Sequence, residues 1–440
     1  DGSESYWGGM PEGIVALAPF SSRVSSDTAA LVEEKSAAIV SGDWDVFCGP
    51  VVGANGSLVV AEGDCLDDGS MLGMDYWVEG VSGEVPGEAA GEPRALRILE
   101  WSGYEIHDWP DFFPQFAEKY GEYTEDWTWE SAGNVDIEYK IFADDAESLA
   151  TLAAGYAADL AHPCVNWVEL YVNRDLLQPI DTTRLTHWDS IHESFREASM
   201  HNGEVYFVPW DWGYESIIVR NDLVGEVPDS WASLWDPQYA QQVITWDNDE
   251  QAFVIAALVL GIEDPWNTTE AENEAIKQKL IELQDNLLTY WVDYQENIDL
   301  LSSGDAVLGG GIWQDSYGVL LDEGYDVSYI DPVEGRTGWL CGYVLSAEAE
   351  NVDLAYDFFN AATSPESTAN LGIYYYYGGA NPEGVDLMKE WEDGAYQYIV
   401  DYFQLDQFDD IAERTVWYKT MTEEKRQMLA DMWAEVRGSY

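Results

Sequence analysis

From Ala95 onward, short β-rich runs alternate with runs of helical period, and this alternation is the strongest constraint on what the chain can fold into. Residues 95–100 read as a strand. Phe112, Phe116 and Tyr120 fall at i, i+4 and i+8, one apolar stripe that buries a helix over 110–120 against a sheet. Residues 135–142 read as the next strand and 146–154 as the following helix, before Asp159-Leu160 and the loop His162-Pro163-Cys164. Strands alternating with helices imply a doubly wound α/β sheet, in which ligands gather at the carboxyl ends of strands. The loops after Glu100 and Leu160 are therefore expected on one rim. Farther on, 205–209 reads as a strand leaving this lobe, 231–239 as helical turns and 338–345 as a strand returning to it. Ile276, Leu280, Leu283 and Leu287, spaced i, i+4, i+7 and i+11, mark a long amphipathic helix. Thr422 is expected to cap a C-terminal helix that buries Leu429, Met432, Trp433 and Val436.

The chain's 440 residues suffice for a two-lobed domain plus extra material. Its 84 Asp and Glu against 19 Lys and Arg give a formal net charge of -65. At ~1 M salt the Debye length shrinks to about 3 Å and such self-repulsion largely disappears. The charge thus reads as an acidic surface adapted to concentrated salt, a halophilic trait. The acids are spread along the whole length, which argues against a disordered acidic tail. Without a basic stripe to neutralise phosphates, nucleic acid is not an expected partner. No run approaches the ~20 apolar residues that span a bilayer. Four Cys without CxxC spacing and five scattered His make a zinc site unexpected, and no cofactor is expected. A start at Asp1, without Met or a leader, reads as a fragment or a processed chain.

Between Gly80 and Arg94 the run GVSGEVPGEAAGEPR is rich in Gly, Pro and Glu, and 84–94 reads as a solvated linker. Before it, 14–20 reads as a strand, 27–41 as a helix capped by Ser25, Ser26 or Asp27, and 44–51 as another strand. Asn55-Gly56 and 58–61 suggest a hairpin. The words WGGMPEGIVALAPF, IVSGDWDVFCGPV and GMDYWVEGVSG, over about 5–83, resemble the C-terminal end of the basic membrane protein, or nucleoside-receptor, family of type I solute-binding proteins. The resemblance implies that 1–83 is a C-terminal fragment of such a domain, a partial α/β segment without site residues. Cys48 and Cys65 read equally as packing or as a local disulfide.

Residues 95 to about 381 resemble the extracellular solute-binding proteins of the spermidine/putrescine class. ALRILEWSGY, DLAHPCVNWV, DLLQPID, VYFVPWDWGYESIIVRND, SWASLWDPQY, GDAVLGGGIW and GWLCGYVL stand in that family's order. The resemblance implies a two-lobed type II periplasmic binding protein fold of the α/β class over 95–440, with hinge crossovers near Pro209 and Leu340. Lobe 1 would take about 95–208 and 340–440, and lobe 2 about 209–339. It implies a binding component of an ABC importer rather than an enzyme, working as a monomer. The expected place is extracellular or periplasmic, with or without a membrane anchor in a longer protein. The implied partners are a small amine or quaternary ammonium solute and an ABC transporter permease.

By that resemblance the ligand-facing residues are Trp101, Ser102, Tyr104, Cys164, Asn166, Trp212, Trp313, Trp339 and Tyr377. Aromatic faces attract ammonium groups by ~0.5–2 kcal/mol per contact, and they also stack on sugars. An amine in a dry cleft must be matched by acids. The family's acid positions fall here on Asn248, Gln251 and Cys341, all neutral. That weighs against a classical diamine and towards a singly charged solute held by cation–π contacts. Asp211, Glu215, Asp247, Asp249 and Glu250 lie nearby; Asp211 and Asp247 sit within the aromatic runs WDW and TWD, and Asp247 joins the expected ligand set. Cys164 and Cys341 share one pocket wall, where two independent apolar fillers are preferred over a disulfide. The alternative function is a carbohydrate-active enzyme or sugar-binding protein with the same Trp- and carboxylate-rich cleft. The sequence holds no GxSxG, GxxxxGK[ST] or HExxH word.

Overall fold

The computed structural model describes residues 25–43, 47–52, 58–66, 78, 94–106, 112–123, 129–131 and 135–439. The strand expected over 14–20, the start of that over 44–51, the Asn55-Gly56 turn and nearly all of the linker lie outside the described residues. The chain divides into two compact units, Asp1–Gly91 and Glu92–Tyr440. In the first, helix α1 (Ser26–Ser41) starts where Ser25 Oγ accepts from the backbone N–H of Thr28 and ends on Gly42. Strands β1 (Val51–Val52) and β2 (Leu58–Val60) pair antiparallel, and a disulfide joins Cys48 to Cys65.

The second unit begins with β3 (Arg94–Trp101) and α2 (Pro114–Tyr120), which buries Phe116 and packs with Phe112 and Phe113 under the sheet. Next come β4 (Val135–Phe142), α3 (Asp145–Ala153), β5 (Leu160–Ala161) and α4 (Val165–Asn173). Strand β6 (Val208–Arg220) is followed by β7 (Val243–Trp246), α5 (Asp249–Val259), α6 (Glu270–Leu283), β8 (Leu287–Trp291), β9 (Leu308–Ile312) and α7 (Gln314–Asp322). Strand β10 (Arg336–Leu345) then leads to α8 (Val352–Ala362), α9 (Pro365–Tyr375) and, at the C-terminus, α10 (Glu423–Arg437).

One sheet of 11 strands runs through both lobes, with its main path in the order β8-β7-β9-β6-β10-β5-β3-β4. Strands β6 and β10 are its antiparallel centre, paired from Val208↔Tyr343 to Glu215↔Thr337 with a register shift between Pro209 and Asp211. Beyond Glu215, β6 changes partner and pairs with β9 from Ser216↔Ile312. The crossover thus falls at Glu215 and Ser216, not at Pro209. All 13 residues of β6 are buried, so both faces are covered and the period-2 signal that would have marked the strand is missing. The helix drawn through Leu287 also divides: α6 stops at Leu283, and Leu287 opens β8.

Helix α10 follows its sequence signals, with Thr422 Oγ1 accepting from the N–H of Lys425. Its apolar face does not join lobe 1. Leu429, Met432 and Val436 pack with Ala252, Phe253, Ile276 and Leu280 of α5 and α6, each such side chain contributing ~1.5–3 kcal/mol of burial. The helix therefore rides on lobe 2.

Candidate functional site

A cavity of about 850 Å³ opens where the carboxyl ends of β3, β7 and β9 meet the crossing strands β6 and β10, the position that sheet topology favours for ligands. Lobe 1 contributes Trp101, Ser102 and Tyr104 after β3, Asp145 at the start of α3, and Cys164 and Asn166 around the start of α4. Lobe 2 contributes Trp246, Asp247 and Asn248 after β7, Glu250 in α5, and Trp313 and Asp315 at the β9–α7 junction. The crossing strands add Asp211, Glu215, Trp339 and Cys341, and Tyr377 follows α9.

Trp101, Trp313 and Trp339 thus share one cavity. Trp339 meets Tyr377 edge-on at 4.9 Å, Tyr104 stacks on Tyr375 at 4.8 Å, and Trp313 stands edge-on to Trp246 at 4.8 Å. Gly213, directly across the ladder from Trp339, lets that indole lie flat on the neighbouring strand. A Cβ there would come within 2.5 Å of Trp339 Cζ2 and of Gln314 Oε1.

Two residues expected in the lining are elsewhere. Trp212 is 1% exposed, donates from Nε1 to the Gly379 carbonyl and packs on Phe408. Alternation along β6 sends Asp211 and Trp212 to opposite faces, and the cavity takes Asp211. Gln251 lies behind the wall, donating from Nε2 to the Gly311 carbonyl at 2.9 Å. Asn248 does line the cavity, but its Oδ1 caps α5 by accepting from the N–H of Gln251. Asp247 accepts from Trp433 Nε1 and pairs with Arg437. Cys164 and Cys341 are joined as a disulfide, against the preferred reading as separate fillers. They oppose each other across an antiparallel bridge with Cα atoms 3.9 Å apart, so the pleat brings their side chains together.

The acids form two groups. Asp211 is 1% exposed, and its Oδ2 accepts from the Tyr104 hydroxyl at 2.7 Å. Behind it, His162 is fully buried, with Nε2 3.0 Å from Asp211 Oδ1 and Nδ1 2.5 Å from Glu100 Oε1. Glu100 also accepts from the Trp101 N–H and the Tyr343 hydroxyl. Burial works against an imidazolium, but the charges of Glu100 and Asp211 outweigh it and raise His162 to about 10. A fixed cation therefore already compensates Asp211.

Glu215 and Asp315 have no such compensation. Glu215 accepts from Trp313 Nε1 at 3.3 Å and from the Thr337 and Tyr418 hydroxyls at 2.7 Å each. Asp315 accepts from the Ser316 N–H, and the neighbouring Tyr377 hydroxyl also favours its ionised form. Among the described residues, no Lys or Arg pairs with either. Burial raises Glu215 above the usual carboxylate range and pushes Asp315 up to about 6. Burial likewise lifts Asp145 to about 8, against a hydrogen bond from the Cys164 N–H. It lifts Glu250 to about 7, against the attraction of Arg426. Glu100, His162, Asp315 and Arg426 were not singled out by sequence reasoning. A lone His and a helix-borne Arg carry no local pattern that separates them from packing or surface residues.

Among the described residues, no group of three or more His, Cys, Asp or Glu is arranged to hold a metal ion. No helix among them is long and apolar enough to cross a membrane.

Comparison with known proteins gives this site a context. The model of bacterial extracellular solute-binding proteins matches residues 115–396, more than half of the chain. The putrescine-binding periplasmic protein PotF of Escherichia coli K12 is 25% identical over 324 residues, which cover 69% of this chain and 82% of PotF. A purine-binding protein of Brucella abortus is 39% identical over 84 residues, 19% of this chain and 24% of that protein. The crystal structure of the spermidine/putrescine substrate-binding protein PotD of Streptococcus pneumoniae superposes with a TM-score of 0.60 at 19% identity, covering 79% of this chain and 99% of that one. The fold is that of type II periplasmic binding proteins, and the chain belongs to the bacterial extracellular solute-binding protein family.

Proposed function

We propose that this protein captures a small cationic amine in the cleft between its lobes and delivers it to the permease of an ABC importer, outside the cytoplasmic membrane. One observation carries the reading: Glu215 and Asp315 are carboxylates drawn out of water beside Trp313, Trp339 and Tyr377, with no Lys or Arg among the described residues to compensate them. A buried carboxylate held only by neutral donors is costly. An ammonium group would compensate the charge while the rings desolvate its methylene or methyl groups. PotF and PotD bind amines by name, and their likeness to this chain supports the same class. The family supports binding without catalysis.

A sugar would use the rings but leave the carboxylates without a cation, so the carbohydrate alternative ranks second. Residues 1–83 are read as a fragment of a type I binding domain; the 84-residue likeness to a purine-binding protein is of matching length.

Titration calorimetry with spermidine, putrescine, choline, glycine betaine, glucosamine and the neutral sugar glucose tests the reading. It should be run at ~1 M salt, where the net charge of the surface is screened. Heat with one or more amines is expected. Heat with a neutral sugar alone would refute the assignment.

A further inference from the structure

The cavity contains a second place built for a cation, and the protein's own chain fills it. Arg426, on α10, puts one guanidinium nitrogen 3.2 Å from Glu250 Oε2 and another 3.1 Å from the Asn166 carbonyl. Its plane lies over the Trp167 ring, 3.5 Å from the centroid. An aromatic face, a carboxylate and a carbonyl converging on one positive group is the arrangement that would hold a ligand ammonium. Glu250 is buried and Arg426 mostly so, and burial raises Glu250 towards neutrality despite the guanidinium. Arg174, the other Lys or Arg in the lining, is spent on Glu423 at 2.6 Å.

This place adjoins the one at Glu215. Gln251, next in sequence to Glu250, has its side chain near enough to Glu215 to favour the ionised carboxylate. Tyr418 donates to Glu215, and the charges of Glu215 and Glu250 add to burial in raising its hydroxyl. The cleft therefore offers two neighbouring cation positions along one wall. Arg426 reaches its position from a helix whose apolar face is anchored on lobe 2, while its carbonyl and indole contacts come from lobe 1.

We propose that Arg426 is a specificity-determining residue. It occupies one of the two cation positions and so limits the ligand to a single positive centre, seated at Glu215 and Asp315. This rests on the reading of the cleft as an amine site and narrows it: a monoamine or quaternary ammonium solute should bind better than a diamine. A second ammonium would meet the guanidinium, and like charges at close range in a poorly hydrated site repel strongly.

Calorimetry with butylamine, choline and putrescine on the full chain tests it. The wild type should bind one of the two monocations at least about tenfold more tightly than putrescine. Arg426→Ala should tighten putrescine by about tenfold or more without tightening the monocations. Arg426→Lys should keep the wild-type order, because the charge stays. Glu250→Gln combined with Arg426→Ala should lose the putrescine gain, because the carboxylate that would receive the second ammonium is gone. Should Arg426→Ala not fold, Arg426→Gln serves in its place, and the wild-type order remains an independent readout. Putrescine bound as tightly as the monocations by the wild type, or an unchanged ratio in the Ala or Gln variant, overturns the role of Arg426 while leaving an amine site. No heat with any amine in any variant overturns the amine site and the inference with it.

Discussion

Replacing Glu215 by Gln separates what the carboxylate does for the ligand from what it does for the fold. In the folded chain Glu215 is 1% exposed and raised by burial. The native state thus holds a proton that the unfolded chain has already released. Between the ordinary carboxylate range and that raised position, stability falls as pH rises, so ionising the group is a cost to the fold. Glu215→Gln removes this cost. The amide oxygen can still accept from Thr337 and Tyr418, while the amide nitrogen faces Trp313 Nε1 and forfeits one hydrogen bond worth ~1 kcal/mol. The two effects oppose, so the unfolding free energy should stay within about 1 kcal/mol of wild type in urea. Binding should not be spared. A hydrogen bond to a charged group contributes ~1.5–3 kcal/mol, so affinity for the cationic ligand should drop roughly 10- to 150-fold. Calorimetry and urea titration on the same preparation check both. Unchanged affinity in a folded variant would refute the role of Glu215, as would an affinity loss explained by an equal loss of stability.

Asp315, pushed up to about 6 by burial, should make binding pH-dependent. A cation favours the ionised form, so affinity should weaken as pH falls through about 6; Asp315→Asn should weaken binding and flatten that limb, and a wild-type profile flat between about pH 5 and pH 8 would contradict it. Gly213→Ala drives a methyl into Trp339 and Gln314. It should cost about 1–3 kcal/mol of stability in urea and displace the indole, with affinity falling about tenfold. The Cys164–Cys341 bridge closes a separation of 177 residues. On chain-entropy reasoning it stabilises by up to about 5 kcal/mol, so reductant should lower the melting temperature by several degrees, and thiols that label freely without reductant would contradict the bridge.

The ends of the fold were legible where one face of an element is wet. α10 shows Thr422 followed by Leu429, Met432 and Val436 at helical spacing, and the helix forms where that pattern places it. The crossing strand β6 was cut short at Pro209 because every residue from Val208 to Arg220 is buried and no alternation survives. The same full burial hid which of Asp211 and Trp212 faces the cavity. Trp101, Trp313 and Trp339 could be grouped by family resemblance, and they share one cavity. The acids could not, because their meaning depends on partners distant in sequence. Asp211 is compensated by His162, whereas Glu215 has only hydroxyl, indole and amide neighbours. Arg426 belongs to the cavity only because α10 folds back on lobe 2 and touches lobe 1, which no local spacing encodes.

An amine-binding cleft must select positive charge. Calorimetry of charged and uncharged isosteres decides this, with choline against 3,3-dimethyl-1-butanol and butylamine against 1-butanol. At least one cation should bind, with its neutral counterpart weaker by about tenfold or more. Equal affinity within a pair, or heat from the neutral members alone, would show that the rings bind shape and that the carboxylates of Glu215 and Asp315 take no part.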